Sequence, residues 1–326
     1  MRAVKISLMA FVVMISLLWV FQAPFAADFP AKPVNLIVCY GAGGSTDTVI
    51  RAFNDQLGKQ LGVPAVVLNK PGSGGLVGAL FAKKAKPDGY TVLVLSLSHL
   101  LRMAIDPGIP LDVFRDFAPV SRFVNQPLLL GVGKDSKFNT LDDLISYAKQ
   151  NPRKVSYGSA GIGATGHFAA ELFCSTAKIK VKHVPFKGDA ATTTATMGGH
   201  VDWSVTGLPK FGPKAASGDV KVLAAFTKER IPEMKDVPTF GEKGYPEVIM
   251  YSWFGFAVPK KTPKEIIAKL DKAIGAAIKD PITQKNLKNL LFNDWYIGPA
   301  EFSEFIKSDY ERFKKVAEEA GIKVKQ

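Results

Sequence analysis

The chain has 326 residues, 47% hydrophobic and 22% charged, a composition usual for folded globular protein and long enough for two cores. Its formal charge is +13, but Lys260, Lys261, Lys264, Lys269 and Lys272 are scattered along amphipathic stretches and interleaved with acids. No basic run with stacked aromatics appears, so a nucleic-acid partner is not expected. His99, His167, His183 and His200 are too dispersed for a metal pattern and no CxxC occurs, so no metal site is expected.

Met1 to about Ala27 stands apart. Arg2 and Lys5 precede an apolar run from Ile6 to Phe21, and a small-residue exit follows through Ala26 and Ala27. This is the pattern of a secretory signal peptide, cleaved near Ala26 or Ala27. The competing reading, a transmembrane anchor, meets a run that is short for a span. The expected location is therefore periplasmic.

Leu36 to Tyr40 is a continuous apolar run, the pattern of a strand buried on both faces. Gly41, Ala42, Gly43 and Gly44 then let the backbone turn sharply and approach a ligand. Ser45, Thr46 and Asp47 offer N-cap chemistry for a helix through Val49, Ile50, Phe53 and Leu57. Such a turn aims unpaired N–H groups and a positive helix end at one point, an anion site. It is not a P-loop, because no Gly-Lys-Ser/Thr follows, and a tight turn without a ligand is the plain alternative.

Ala65–Leu68 is a second strand, Asn69–Gly75 a loop opening a helix, and Tyr90–Leu95 a third buried strand. This βαβαβ rhythm predicts a parallel sheet with helices on both faces. Ser96-Leu-Ser-His99 puts polar groups at the strand's carboxyl edge, where open α/β sheets bind ligands. Phe117–Asn125 and Leu128–Val132 read as strands. Lys154–Gly158 leads into Ser159-Ala-Gly-Ile-Gly-Ala-Thr-Gly-His167 and a helix, repeating the opening element. Lys180–Pro185, Val201–Thr206, Val220–Phe226 and Tyr251–Val258 are further strands, Leu291–Ile297 a short edge strand, and amphipathic helices follow Pro263, Pro281 and Pro299. Two crossings, near Phe117–Asn125 and Ser252–Val258, make a two-strand hinge between lobes of residues 28–127 plus 250–326 and residues 128–249. Cys39 and Cys174 fall in different lobes, which favours two buried free thiols over a disulfide.

Gly161–Gly166 matches G-x-G-x-x-G between a strand and a helix, but the expected acid after the next strand is absent. An NADP-linked or hydrolytic exported enzyme using this turn is the alternative function, and a sensory receptor of the same fold is another. No nucleophile elbow occurs around Ser159 or Ser73. His183 alternates with valines on a strand and reads as structural, whereas His99 and His167 follow strand-end turns where they cap, orient or contact a ligand. Asp47 reads as an N-cap rather than a general acid.

The chain resembles the Bug family, the periplasmic solute receptors of tripartite tricarboxylate transporters. The resemblance runs through Tyr40–Asp47, Asn69–Gly75, Pro87–Tyr90, Phe117–Val120, Tyr157–His167, Val184–Gly188, Gly198–Asp202 and Ser252–Gly255. It implies a two-lobed Venus flytrap fold, α/β throughout, that binds a small carboxylate between the lobes without chemistry or cofactor. Backbone amides and hydroxyls of these turns, often with bridging waters, hold the ligand in the family. Carried over, Tyr40, Ala42, Gly43, Gly44, Ser45, Thr46 and Asp47, with Ser98 and His99, form the first lobe's share. Ser159, Gly161, Gly163, Ala164, Thr165, His167 and Thr206 form the second's. Ala164 and Gly166 stand where the family often has Ser, and Thr206-Gly207 where it often has Asp-Asn, which fits a smaller, aromatic or less polar carboxylate at least as well as a tricarboxylate. The implied partner is a membrane permease of the tripartite type, and the receptor is expected to be a monomer.

Overall fold

The computed structural model describes residues 29–323; the predicted leader lies outside them. The opening strand β1 (Val34–Val38) runs through the Gly41–Gly44 turn into α1 (Ser45–Arg51). The single helix expected here is two, because α2 (Asn54–Leu61) restarts after Ala52 and Phe53. Asn286 Nδ2 donates to the Ala52 carbonyl at 3.0 Å, taking an acceptor that a continuous helix would use internally. The break also seats Phe53 in a ring stack with Phe123 and Phe256.

Next come β2 (Ala65–Asn69), α3 (Leu76–Lys83), β3 (Thr91–Ser96), α4 (Leu97–Ile105) and α5 (Val113–Asp116). Both β2 and β3 pair parallel to β1, as the βαβαβ rhythm predicts. The two strands expected between Phe117 and Val132 are one 17-residue strand, β4 (Phe117–Gly133). The run is continuous but irregular, its register against β9 shifting between Pro119 and Ser121 and again between Arg122 and Val124.

The second half follows as α6 (Leu141–Gln150), β5 (Ser156–Ser159), α7 (Thr165–Thr176), β6 (Lys182–Pro185), α8 (Asp189–Met197), β7 (Trp203–Gly207), α9 (Leu208–Ala216) and β8 (Val220–Ala225). The chain then returns through β9 (Tyr251–Pro259), α10 (Lys264–Lys279), α11 (Pro281–Asn289), β10 (Asn293–Ile297) and α12 (Pro299–Glu319). Strand order is β2-β1-β3-β9-β4-β7-β5-β6, with β8 and β10 also pairing β4. The parallel trio β7-β5-β6 repeats the plan of β3-β1-β2.

The amino-terminal part of β4 pairs antiparallel with β9, and its carboxyl end pairs with β7 and β8. One strand thus belongs to both halves, and β9 runs beside it as far as Pro127↔Tyr251. Helix α12 also touches both: Trp253 Nε1 donates to Asp309 Oδ2 at 2.7 Å, while Phe313 meets Phe168 of α7 edge-on and Ser175 Oγ donates to the Ala320 carbonyl. Cys39 and Cys174 are buried and free.

Candidate functional site

Five helix N-termini meet where the halves face each other. Ser45 and Thr46 begin α1, Ser98 lies in the first turn of α4, Thr165 and Gly166 begin α7, Asp189 begins α8, and Gly207 caps α9; all line one cavity of about 30 Å³. Each helix start leaves backbone N–H groups without helical acceptors and carries partial positive charge. Gln126 and Leu128 of β4, with Ser252 and Phe254 of β9, complete the walls. Among the described residues, no lysine, arginine or histidine lines the cavity, and Asp189 is its one charged side chain.

Glycine permits two of these approaches. A Cβ on Gly166 would lie 2.4 Å from the Val205 carbonyl oxygen, so only glycine lets α7 start against β7. A Cβ on Gly207 would meet Gln126 Oε1 at 2.2 Å.

The halves are closed on each other. Ser98 Oγ and Thr165 Oγ1 lie 3.1 Å apart, Lys210 Nζ donates to Thr48 Oγ1 at 3.0 Å, and Arg102 Nη1 donates to the Ile162 carbonyl at 3.3 Å. The Gly41 N–H donates to the Lys187 carbonyl at 3.3 Å.

Of the residues expected at the site, the structure brings Tyr40, Gly44, Ser45, Thr46, Ser98, Ala164, Thr165 and Thr206 to the cavity. Ala42 and Gly43 turn outward and are exposed, and the Gly43 N–H is taken by Asp47 Oδ2 at 2.9 Å. Asp47 is corrected twice. It is the third residue of α1 rather than its cap, and its carboxylate binds Arg51 Nε at 3.0 Å and Asn69 Nδ2 at 2.9 Å instead of facing the cleft. Burial alone raises its pKa, but Arg51, the Gly43 N–H and Asn69 together hold it below the usual value.

His99 turns back onto its own helix start. Its Nδ1 accepts from the Ser96 N–H at 3.1 Å, and burial lowers the ring to about 4. In the second half, Ser159 is fully buried, with Oγ 2.7 Å from His183 Nε2 and also bonded to the Gly161 carbonyl at 3.2 Å. Gly163 donates its N–H to His167 Nδ1 at 3.2 Å, and His167 packs on His183 with ring centroids 4.4 Å apart. Burial first, then the charges of its neighbours, lowers His167 to about 3; burial lowers His183 to about 4. Gly161 and Gly163 pack against Gly74 and Arg102 rather than the cavity. Ser159, Gly161, Gly163 and His167 therefore support the turn from behind.

Sequence reasoning missed Gln126, Ser252, Phe254 and Asp189. Ser252 and Phe254 sit on a strand read as a crossing and Gln126 directly follows the other, so cleft-facing residues on hinge strands were a usable signal. Asp189 follows the strand read over Lys180–Pro185, but nothing in sequence aims it at a turn some 140 residues earlier.

Two lobes of parallel-sheet α/β structure, joined by crossing strands and closing on helix N-termini, define a solute-binding protein of the two-lobed periplasmic kind. Residues 49–322 match the family described as Tripartite tricarboxylate transporter family receptor, and the chain belongs to that family. It is 32% identical over 306 residues to Protein BugT of Bordetella pertussis, covering 93% of this chain and 94% of BugT. Among solved structures, an R. palustris protein with adipate is 31% identical, with a TM-score of 0.86 over 91% of this chain and 99% of that one. MatC from Rhodopseudomonas palustris with bound malate is 28% identical, with a TM-score of 0.84 over 88% and 99%.

Proposed function

We propose that this protein is an exported periplasmic receptor that binds a small carboxylate between its lobes and hands it to a tripartite-type membrane permease, without catalysing a reaction. One observation carries the reading: five helix N-termini converge on a cavity with no basic side chain. Helix starts and hydroxyls bind an anion through fixed dipoles, so a carboxylate trades its water shell for donors already in place. The family's receptor role and the adipate and malate bound by neighbouring structures support the same solute class.

We take residues 28–127 plus 250–326 and residues 128–249 as the moving lobes, hinged at β4 and β9. Closure around solute is driven by its greater affinity for the closed arrangement, because donors from both lobes reach it only there. The closed rims, where Lys210 meets Thr48 and Gly41 meets Lys187, then present one continuous surface to the permease.

A thermal-shift panel on unfolded and refolded mature protein, against mono-, di-, tri- and aromatic carboxylates plus NADP, tests this. Carboxylate at 100 times its dissociation constant is expected to add about 2.7 kcal/mol to stability. A shift with NADP alone, or with no carboxylate, overturns the reading.

A further inference from the structure

Asp189 is a carboxylate inside a site suited to carboxylates. Its plain use is structural, since an acid in the first turn of α8 favours that helix end. Its position gives it more. Asp189 N lies 3.9 Å from where Gly44 would carry a Cβ, so the residue abuts the turn of the opposite lobe. Burial raises its carboxyl, and Ser45 across the cleft offsets this only in part. Lys210 is bonded to Thr48 Oγ1 and acts on Asp189 through charge alone, without a hydrogen bond to it. The first lobe's share of the closed site, Gly44, Ser45 and Thr46, therefore shares the cavity with an acid supplied by the second. A second acceptor lies in the same cavity: buried Gln126 Oε1 has no donor.

We propose that Asp189 sets the charge of the solute: the site takes a carboxylate whose other end carries an N–H donor, an ammonium or protonated ring nitrogen, and refuses dicarboxylates. The proposal rests on the receptor reading above. The solute carboxylate lies at the starts of α4, α7 and α9, beside Ser98, Thr165 and Gly207. Its donor end meets Asp189 and Gln126. A second carboxylate in that place would meet a like charge with no basic side chain in the cavity to offset it, a repulsive element that discriminates as strongly as an attractive one.

Calorimetric titration of the mature, ligand-stripped chain tests this with matched probes: γ-aminobutyrate, succinate and butyrate; β-alanine, malonate and propionate; para-aminobenzoate, terephthalate and benzoate. In the set that binds best, the amino member is expected to bind at least about tenfold more tightly than the diacid. Asp189→Asn and Asp189→Ser are each expected to cut that ratio at least about tenfold, mainly by admitting the diacid. The ratio is measured within each variant, so a change in stability does not move it. If the diacid binds wild type as tightly as the amino member, or if both variants leave the ratio unchanged, Asp189 is only a helix-end acid and the receptor reading stands. If no carboxylate here or in the wider panel binds, the receptor reading fails and the proposal with it.

Discussion

The turn at Tyr40–Asp47 and the turn at Ser159–His167 share one plan: strand, glycines, hydroxyls, helix. What braces each from behind differs. The first is held by an ionised group, Asp47, bonded to the Gly43 N–H, Arg51 and Asn69. The second is held by neutral rings, with His183 on Ser159, His167 on the Gly163 N–H, and Tyr157 stacked beside both. In both, the side chains with the richest chemistry support the turn while small neutral groups face the cavity.

The sharpest way to break the comparison is at the glycine that lets the second turn approach its strand. Gly166→Ala forces a Cβ toward the Val205 carbonyl, with an expected loss of about 2 kcal/mol in stability and of most carboxylate binding. Thermal melts with and without ligand measure both. An unchanged melting temperature would show that α7 is free to shift on β7.

Removing the ionic brace comes next. Asp47→Ala is expected to cost about 1–2 kcal/mol in urea unfolding, discounted because Arg51 is half-exposed. Its folded pKa is depressed, so this contribution is present above the unfolded carboxyl's value near 4 and lost as pH falls through the lower folded value.

The neutral brace responds at higher pH. His167 and His183 have folded pKa values of about 3 and about 4 against 6.5 unfolded. The unfolded chain therefore takes up protons first, and stability falls as pH drops from about 6.5 toward 4. His183→Gln is expected to reduce this slope by up to about 1 kcal/mol per pH unit, read from urea midpoints across that window. His99, lowered to about 4 in the first lobe, contributes a similar slope that remains in the variant. The smallest effect belongs to Ser98→Ala, which removes the Ser98–Thr165 contact between lobes. It is expected to weaken carboxylate binding by about 1 kcal/mol, some fivefold, with little change in melting temperature.

The strand-and-helix order was legible because the first lobe's parallel strands are largely apolar runs and because β1 and β5 each lead into a glycine-rich turn. The two anion-ready turns were legible for the same reason, since helix N-termini announce themselves by hydroxyls after glycines. Direction was not. Whether Ala42 faces the cleft or solvent, and whether Ser159 meets a ligand or His183, depends on backbone rotations that composition does not encode. Phe53 was placed in a continuous helix because its spacing fits one; its stack with Phe123 and Phe256, far along the chain, decided otherwise. Asp189 was hidden because its partners belong to the other lobe.

The C-terminal helix α12 rests its first turns on Trp253 through Phe302 and Phe305, and its last turns on Phe168 and Ser175. A segment glued to both jaws confines any opening to rotations that leave it seated, so the pivot must run close beside it. The swing is then widest far from that helix and nearly nil next to it. Such a molecule opens like a book with a stiff spine, and clipping the spine would let the covers slide as well as turn.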